Sequence, residues 1–390
     1  MVLQIFRASR EPAPEAKSSA APLVAFHGAG RVAWSSRDPG TLTEIGFQRN
    51  PVAFRCVKLI AEAAAAVPMV VQDADRRFDA HPVLTLLSAP NPGQSGPALM
   101  ESFYGHFLLS GDGYLEAGGE ALTGGPRELH VLRSDRMKAI PGPDGWPVSY
   151  EYRVGGHRHV FDMAADRPPV LHVKSFHPRD DHYGLTPLSA AAAAIDVHNS
   201  AAAWSKALLD NAARPSGAIV YKGVDGHGQL GADQYARLVD ELEANHQGAR
   251  NAGRPMLLEG GLDWKPMGFS PSDMEFHRTK EAAARDIALA FGVPPMLLGL
   301  PGDNTYANYA EAHRAFYRLT VLPLVAKTLA AISAWLPLHY GSAFQIKVDE
   351  DNVPALAAER EALWRRINDA GFLSDGEKRA LLGLPKLREA

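Results

Sequence analysis

The run TPLSAAAAAIDVHNSAAAWSKALLDNA, Thr186 to Ala212, constrains the fold more than any other stretch. It contains no glycine, and its one proline, Pro187, stands where a first helical residue needs no N–H. The spacing therefore predicts a single helix of about 27 residues, which at roughly 1.5 Å per residue is about 40 Å long. Its alanines let neighbouring helices approach closely. Asp196 and His198 interrupt the apolar run well short of the ~18 residues that a membrane span requires.

On the N-terminal side, residues 1–45 read as an arm that is Pro-rich at first and polar at the end. NPVAFRCVKLIAEAAAAVPMVV then predicts a helix capped by Asn50, with Pro51 at its first position. Val52, Cys56, Ile60, Ala63 and Val67 recur along it at helical spacing. A short helix follows in HPVLTLL, and a second from about Gly96 to Leu109. Ser110-Gly-Asp-Gly turns into a strand, and residues 127–176 alternate as antiparallel strands.

Beyond the long helix, PSGAIVYKG predicts a strand, 231–247 an amphipathic helix, and RPMLLEGGLDWKPMGF a hairpin-like strand pair. A helix over 271–291 follows, with Ser270 as its cap. Another helix runs to about Trp335 and is expected to kink at Pro323. FQIKVDED is a strand. Residues 353–382 are helical, broken at Gly371, with Ser374 capping the last helix.

The 390 residues suffice for two or three packed regions. A net charge of −4 provides no global basic field for phosphates, so any nucleic-acid contact is local or weak. The one cysteine, Cys56, can form neither an intramolecular disulfide nor a Cys-based zinc site, and its apolar neighbours suggest a buried thiol. The N-terminal apolar run is too short for a signal peptide, so a cytosolic, reduced protein is expected.

Motifs that could carry chemistry are sparse. Gly28-x-Gly30-x-x-Ala33 matches a dinucleotide fingerprint formally, but no helix or second βαβ unit follows it. P-loop, His-Glu-x-x-His and Gly-x-Ser-x-Gly patterns are absent. His177, Asp180, Asp181 and His182 lie close together, and His157 and His159 share one face of a strand, donors that could hold a divalent ion. The alternative for the first group is a solvated Pro/Asp turn.

In GVPPMLLGLPGDNTYANYAEAHRAFYRLTVLP, Gly292 to Pro323, a polar loop precedes a helix carrying Glu311, His313 and Arg314. Asp303, Thr305 and Tyr306 beside Glu311 and His313 suggest a nucleotide or acyl site. Asn304 or Thr305 also suits a helix N-cap, and Glu311 and His313 are two apart and point to different faces.

Taken in order, NPVAFRCVKLIAEAAAAVP, HPVLTLLSAPNP, FLLSGDGYLE, VLHVKSF with YGLTPLSAA, FGVPPMLLGL with NTYANYAEAHRAFYRLTVLPL, and DAGFLSDGEKRALLGLP resemble the HK97-like portal proteins of tailed bacteriophages. The resemblance covers about 46–386 and extends to the portal-like chains of gene transfer agents. It implies an α+β portal-protein fold: N-terminal arm 1–45, α/β wing 46–184 and 310–349, two-helix stem 185–212 and 271–291, small α/β clip 213–270, tunnel loop 292–309, long kinked helix within 310–349, and a short helical crown, 350–390.

The resemblance further implies a non-enzymatic dodecamer at one capsid vertex, assembled in the bacterial cytoplasm and carried in the virion. Double-stranded DNA passes through its channel without sequence specificity. The implied partners are the terminase large subunit, a head-tail adaptor and the major capsid protein, with no cofactor, no metal and no membrane. Its DNA-facing loop maps onto Leu300, Pro301, Gly302, Asp303, Asn304, Thr305 and Tyr306, with Asn308 as support. Twelve copies of a chain of charge −4 carry about −48, which favours sliding over sticking. Two rival readings are a soluble metal-dependent hydrolase using His177, Asp180 and His182, and a monomeric head-tail adaptor.

Overall fold

The computed structural model describes residues 34–384, apart from 74–75, 79, 123–124, 211–216, 222–230, 232, 239, 241–261, 267–275 and 302–305. All the helices and strands named below belong to one unit, which begins at Ser35. The Gly28–Ala33 motif and the Ser270 and Asn304/Thr305 caps lie outside the described residues, as does most of 213–270.

Helix formation begins earlier than the sequence suggests. The Asp38 carboxylate accepts from the Thr41 N–H (2.9 Å) and caps α1 (Pro39–Leu42), which continues as a π-turn through Thr43–Gln48. Pro39-Gly40 reads as an interruption in the sequence, but a proline after an Asp cap starts a helix. Leu42 is thereby buried in the core.

Asn50 caps α2 (Pro51–Ala65), its Oδ1 accepting from the Val52 and Ala53 N–H groups. Ala53, Cys56, Val57, Ile60, Ala61 and Ala64 are buried, whereas Val52 and Ala63 are only half-buried. The buried face is therefore turned slightly from the predicted stripe.

Then come β1 (Met69–Gln72), β2 (Arg77–Phe78), α3 (Pro82–Ser88) and α4 (Gly96–Ser110). The strands β3 (Asp112–Gly118), β4 (Glu128–Leu132), β5 (Met137–Pro141), β6 (Pro147–Val154), β7 (His157–Asp162) and β8 (Val170–Lys174) form two antiparallel sheets, ordered β4-β3-β8 and β5-β6-β7. The two sheets enclose a small core of Tyr114, Leu132, Met137, Ala139, Tyr150, Phe161 and Val170.

The long alanine-rich helix forms as expected, as α5 (Pro187–Asp210). Short strands β9 (Gly217–Tyr221) and β10 (Leu262–Pro266) pair with each other antiparallel. The hairpin expected around Leu262–Pro266 is thus made with a strand some forty residues earlier in the described structure. Its other expected half lies outside the described residues. Helix α6 (Phe276–Phe291) packs along α5.

A near-continuous helix follows: α7 (Tyr306–Phe316), a π-turn over Tyr317–Val321, and α8 (Leu322–Tyr340). It passes the expected end at Trp335 and stops at Gly341, whose φ is 63°. The irregularity anticipated at Pro323 is this π-turn just before it. Proline cannot bond the carbonyl four residues earlier, and a widened turn is one way for a helix to absorb that loss.

The Asn308–Tyr340 run has a mean hydropathy of 1.7 in its most apolar window, enough by length and composition to cross a membrane. The sequence reading expected no such segment. One face of the run, however, is core: Val321, Val325, Leu329, Ile332, Trp335 and Leu336 are buried. Strand β11 (Gln345–Val348) then pairs with β1, giving the sheet order β11-β1-β2. The chain ends its described course in α9 (Ala357–Asp369) and α10 (Asp375–Leu381), where Ser374 and Glu377 form a capping box.

Candidate functional site: the root of the 292–309 loop

Helix α6 stops by two hydrogen bonds of the Schellman type. Gly292 N–H donates to Leu289 C=O (3.0 Å) and Val293 N–H to Ala288 C=O (2.9 Å). The motif requires a left-handed residue, and Gly292 has φ +66°. Val293 tucks into the core beside Phe291. The same closure recurs seven residues on. After the 3₁₀ turn Pro295–Leu298, Gly299 (φ +72°) donates to Met296 C=O (3.2 Å) and Leu300 to Pro295 C=O (3.3 Å).

Two side chains then pin the backbone. Arg285, on α6, donates from Nη2 to Pro301 C=O (2.7 Å). Thr320, within the π-turn, donates from Oγ1 to Gly292 C=O (2.6 Å). Of the loop residues Leu300–Tyr306, Leu300 is half-buried, Pro301 is exposed and Tyr306 opens α7. Gly302, Asp303, Asn304 and Thr305 lie outside the described residues.

Of the residues that suggested chemistry, Asp303 and Thr305 lie outside the described residues, and Glu311 and His313 turn to different partners. Glu311 accepts from Arg314 Nη1 (3.0 Å), one turn along the same helix face. Arg314 and Arg318 both approach Glu359, on α9, at 3.5 Å. His313 instead packs its ring against Tyr317, with centroids 5.0 Å apart.

The other candidates are held by turn geometry. Asp180 Oδ1 accepts from His182 N–H (2.8 Å) and Tyr183 N–H (3.0 Å), bonds that hold its carboxyl below the usual range. His177 Nδ1 accepts from Arg179 N–H (3.1 Å). His157 and His159 are exposed on β7. Among the described residues no group of three or more His, Cys, Asp or Glu side chains is placed to hold a metal ion. Cys56 is fully buried, and burial pushes its thiol up to about 12.

A polar junction that sequence reasoning missed organises the start of α5. Buried Asp112 accepts from His172 Nε2 (2.8 Å) and from Gly184 N–H (2.9 Å), while His172 Nδ1 meets the Tyr150 hydroxyl at 2.9 Å. His172 also stacks on Tyr114, with centroids 4.3 Å apart. Gly184 lies so close to Gly111 that a Cβ would meet its carbonyl oxygen at 2.0 Å. Thr186 Oγ1 donates to Leu108 C=O (2.7 Å), so the entry into α5 is fastened to α4 and to both sheets of the β region. The only hints in the sequence were an aspartate inside a Gly-Asp-Gly turn and a histidine inside an apolar strand.

The chain belongs to the phage portal protein family, whose model matches residues 51–383. It is similar to a protein in the neck of gene transfer agent (GTA) particles. The empty-particle neck computed with C6 symmetry gives a TM-score of 0.71 at 65% identity, covering 93% of this chain and 98% of that one. The native neck computed with C12 symmetry gives 0.70 at 65% identity, covering 92% and 97%. An uncharacterized protein of Rickettsia bellii is 39% identical over 347 residues, 88% of this chain and 89% of its own length. An HK97-family phage portal protein from Corynebacterium diphtheriae shares the fold at 15% identity, with a TM-score of 0.55 over 84% of this chain and 99% of that one.

Proposed function

We propose that this chain is the portal subunit of a gene transfer agent or phage particle. Twelve copies form a ring at one capsid vertex and act as a non-enzymatic conduit for double-stranded DNA. One observation carries the reading: helices α5 and α6 pack side by side, and α6 passes through a doubly pinned root into the 292–309 loop and the long helix. The 65% identity to a chain of a neck computed with C12 symmetry supports the ring.

In this reading α5 and α6 are the stem, 213–270 the clip that meets the terminase large subunit and then the head-tail adaptor, and 46–184 with 310–349 the wing. Residues 1–45 are the arm and 350–390 a short crown. The particle carries the ring after assembly in the bacterial cytoplasm, where the outer rim meets the major capsid protein. Leu300 to Tyr306 face the DNA, and Asn308 supports them. The weak negative charge suits passage, because a strongly basic lumen would hold phosphates by counterion release.

Deleting residues 301–305 tests the reading. Native mass spectrometry or negative-stain imaging should still show twelvefold rings, while particles built on them should package or retain less DNA. Normal packaging and retention by the deleted ring would remove the role of the loop. A wild-type chain that stays monomeric during particle assembly would remove the ring.

A further inference from the structure

The long helix has two apolar faces, and the described residues of its own subunit cover only one. Val321, Val325, Leu329, Ile332, Trp335 and Leu336 are core. On another face Leu319, Pro323, Ala326, Ala330, Ala334 and Leu338 recur every three or four residues, and all six are exposed. Leu319 is 78% and Leu338 50% exposed. At ~1.5 Å per residue this stripe is about 30 Å long. It carries no charge; Lys327 is turned away, donating to Lys174 C=O with its ammonium over the Phe107 ring.

Beside the stripe, a cleft of about 600 Å³ opens between α8 and β11, walled by Leu322, Leu329, Ile346 and Val348. The edge of β11 is closed at its middle by Ser333, whose hydroxyl accepts from Ile346 N–H (2.8 Å) and donates to Ile346 C=O (3.3 Å). The cleft is therefore shaped to take side chains, and at that point it offers no free backbone to an added strand.

We infer that the stripe and cleft form a subunit contact, filled by a different surface of the adjacent copy in the ring. The inference rests on the ring proposed above. A continuous apolar face of this length is costly to leave in water and marks a partner site. A bilayer is a poor occupant, because the opposite face is core and Arg318 and Lys327 lie within the same helical stretch. Rotational symmetry makes each contact heterologous, so the stripe meets some other patch and not its own copy. The small side chains of Ala326, Ala330 and Ala334 leave a hollow between Leu319 and Leu338 that suits protruding side chains from that patch.

The test uses the full chain with Ala330→Cys, whose thiol can be labelled selectively because Cys56 is buried. Maleimide labelling should be roughly tenfold slower in assembled rings than in dissociated subunits once nine-tenths of the chains are assembled. A benzophenone maleimide at the same position should cross-link to a neighbouring subunit at a segment other than α8. Ala330→Glu should stay monomeric with an unchanged circular-dichroism spectrum. Should that variant not fold, the cysteine labelling still decides the matter. Normal rings from Ala330→Glu, or free labelling of Ala330→Cys within rings, would overturn the contact while leaving the ring intact. Absence of rings from the wild-type chain would overturn the portal reading itself. Flotation of the wild-type chain with phosphatidylcholine–phosphatidylglycerol vesicles, lost on Ala330→Glu, would make the bilayer the occupant and overturn the contact.

Discussion

Gly292→Ala probes the loop root at the point where two constraints meet. The residue has φ +66°, where an L side chain is strained by about 1–2 kcal/mol. An added Cβ would also lie 2.8 Å from Thr320 Oγ1, the atom that donates to Gly292 C=O. Thr320 must swing away, so its hydrogen bond is lost as well. That bond lies at the surface, which places it in the lower part of the usual range, about 0.5–1 kcal/mol. The expected destabilisation is therefore about 2 kcal/mol, read as a lowered urea midpoint at unchanged m-value.

The decisive measurement is the double-mutant cycle with Thr320→Ala. Thr320→Ala alone should cost about 0.5–1 kcal/mol. The pair should cost little more than Gly292→Ala alone, because the same bond is lost in both single variants and the alanine at 320 relieves the collision. The sum of the singles should exceed the double by at least about 0.5 kcal/mol. Effects that add to within about 0.3 kcal/mol would show that the π-turn does not hold the loop root. A Gly292→Ala variant as stable as wild type would refute the left-handed closure too.

Three further outcomes concern buried groups and caps. His172→Phe should destabilise by about 2–4 kcal/mol in urea unfolding, because it leaves the buried Asp112 carboxylate without its side-chain donor; an effect below about 1 kcal/mol would contradict that role. His198 is buried and accepts from Asn50 Nδ2 at Nδ1 (3.2 Å), and burial lowers its pKa below the ordinary 6.5. Its neutral form is favoured on folding, so its contribution is complete above 6.5 and falls away as the pH drops from there through the lower folded value. The loss of stability between pH 7.5 and 5.5 should shrink in His198→Gln, and an identical slope would contradict this. Ser374→Ala removes the capping box of α10 and should cost about 1 kcal/mol, seen as faster amide exchange confined to Asp375–Leu381.

Legibility in the sequence followed the range of the interactions involved. Asn50-Pro51, Pro187 and Ser374 are local signals that act within a few residues, and each marks the helix start read from it. The end of the arm was misread because Pro39-Gly40 is ambiguous until the Asp38 side chain is seen to turn inward onto Thr41. Strand β10 was legible as a strand, but its partner was not, since pairing with β9 spans some forty residues. The Asp112–His172–Gly184 junction joins positions 60 and 72 residues apart, and no local pattern records such a meeting. The long helix resembles a membrane span in composition because it is apolar on two separate faces, and averaging along the run hides that one of them is core.

The described bonds at the loop root favour the mechanical role proposed above. Catalysis needs side chains whose reactive atoms converge on one point, within hydrogen-bond reach of a substrate. Here Glu311 is committed to Arg314, and His313 lies against Tyr317. The bonds that define the root run instead to main-chain oxygens: Leu289, Ala288, Met296 and Pro295 from backbone donors, Pro301 from Arg285 and Gly292 from Thr320. Such bonds fix where a loop leaves the scaffold and are indifferent to which side chains it carries. The conduit proposed above would make that demand on its loop, because twelve roots in its ring would have to stand at one height while the contents pass without sequence preference. Substitutions at the root should therefore alter passage more than substitutions that keep the length of 302–305 and change only its side chains.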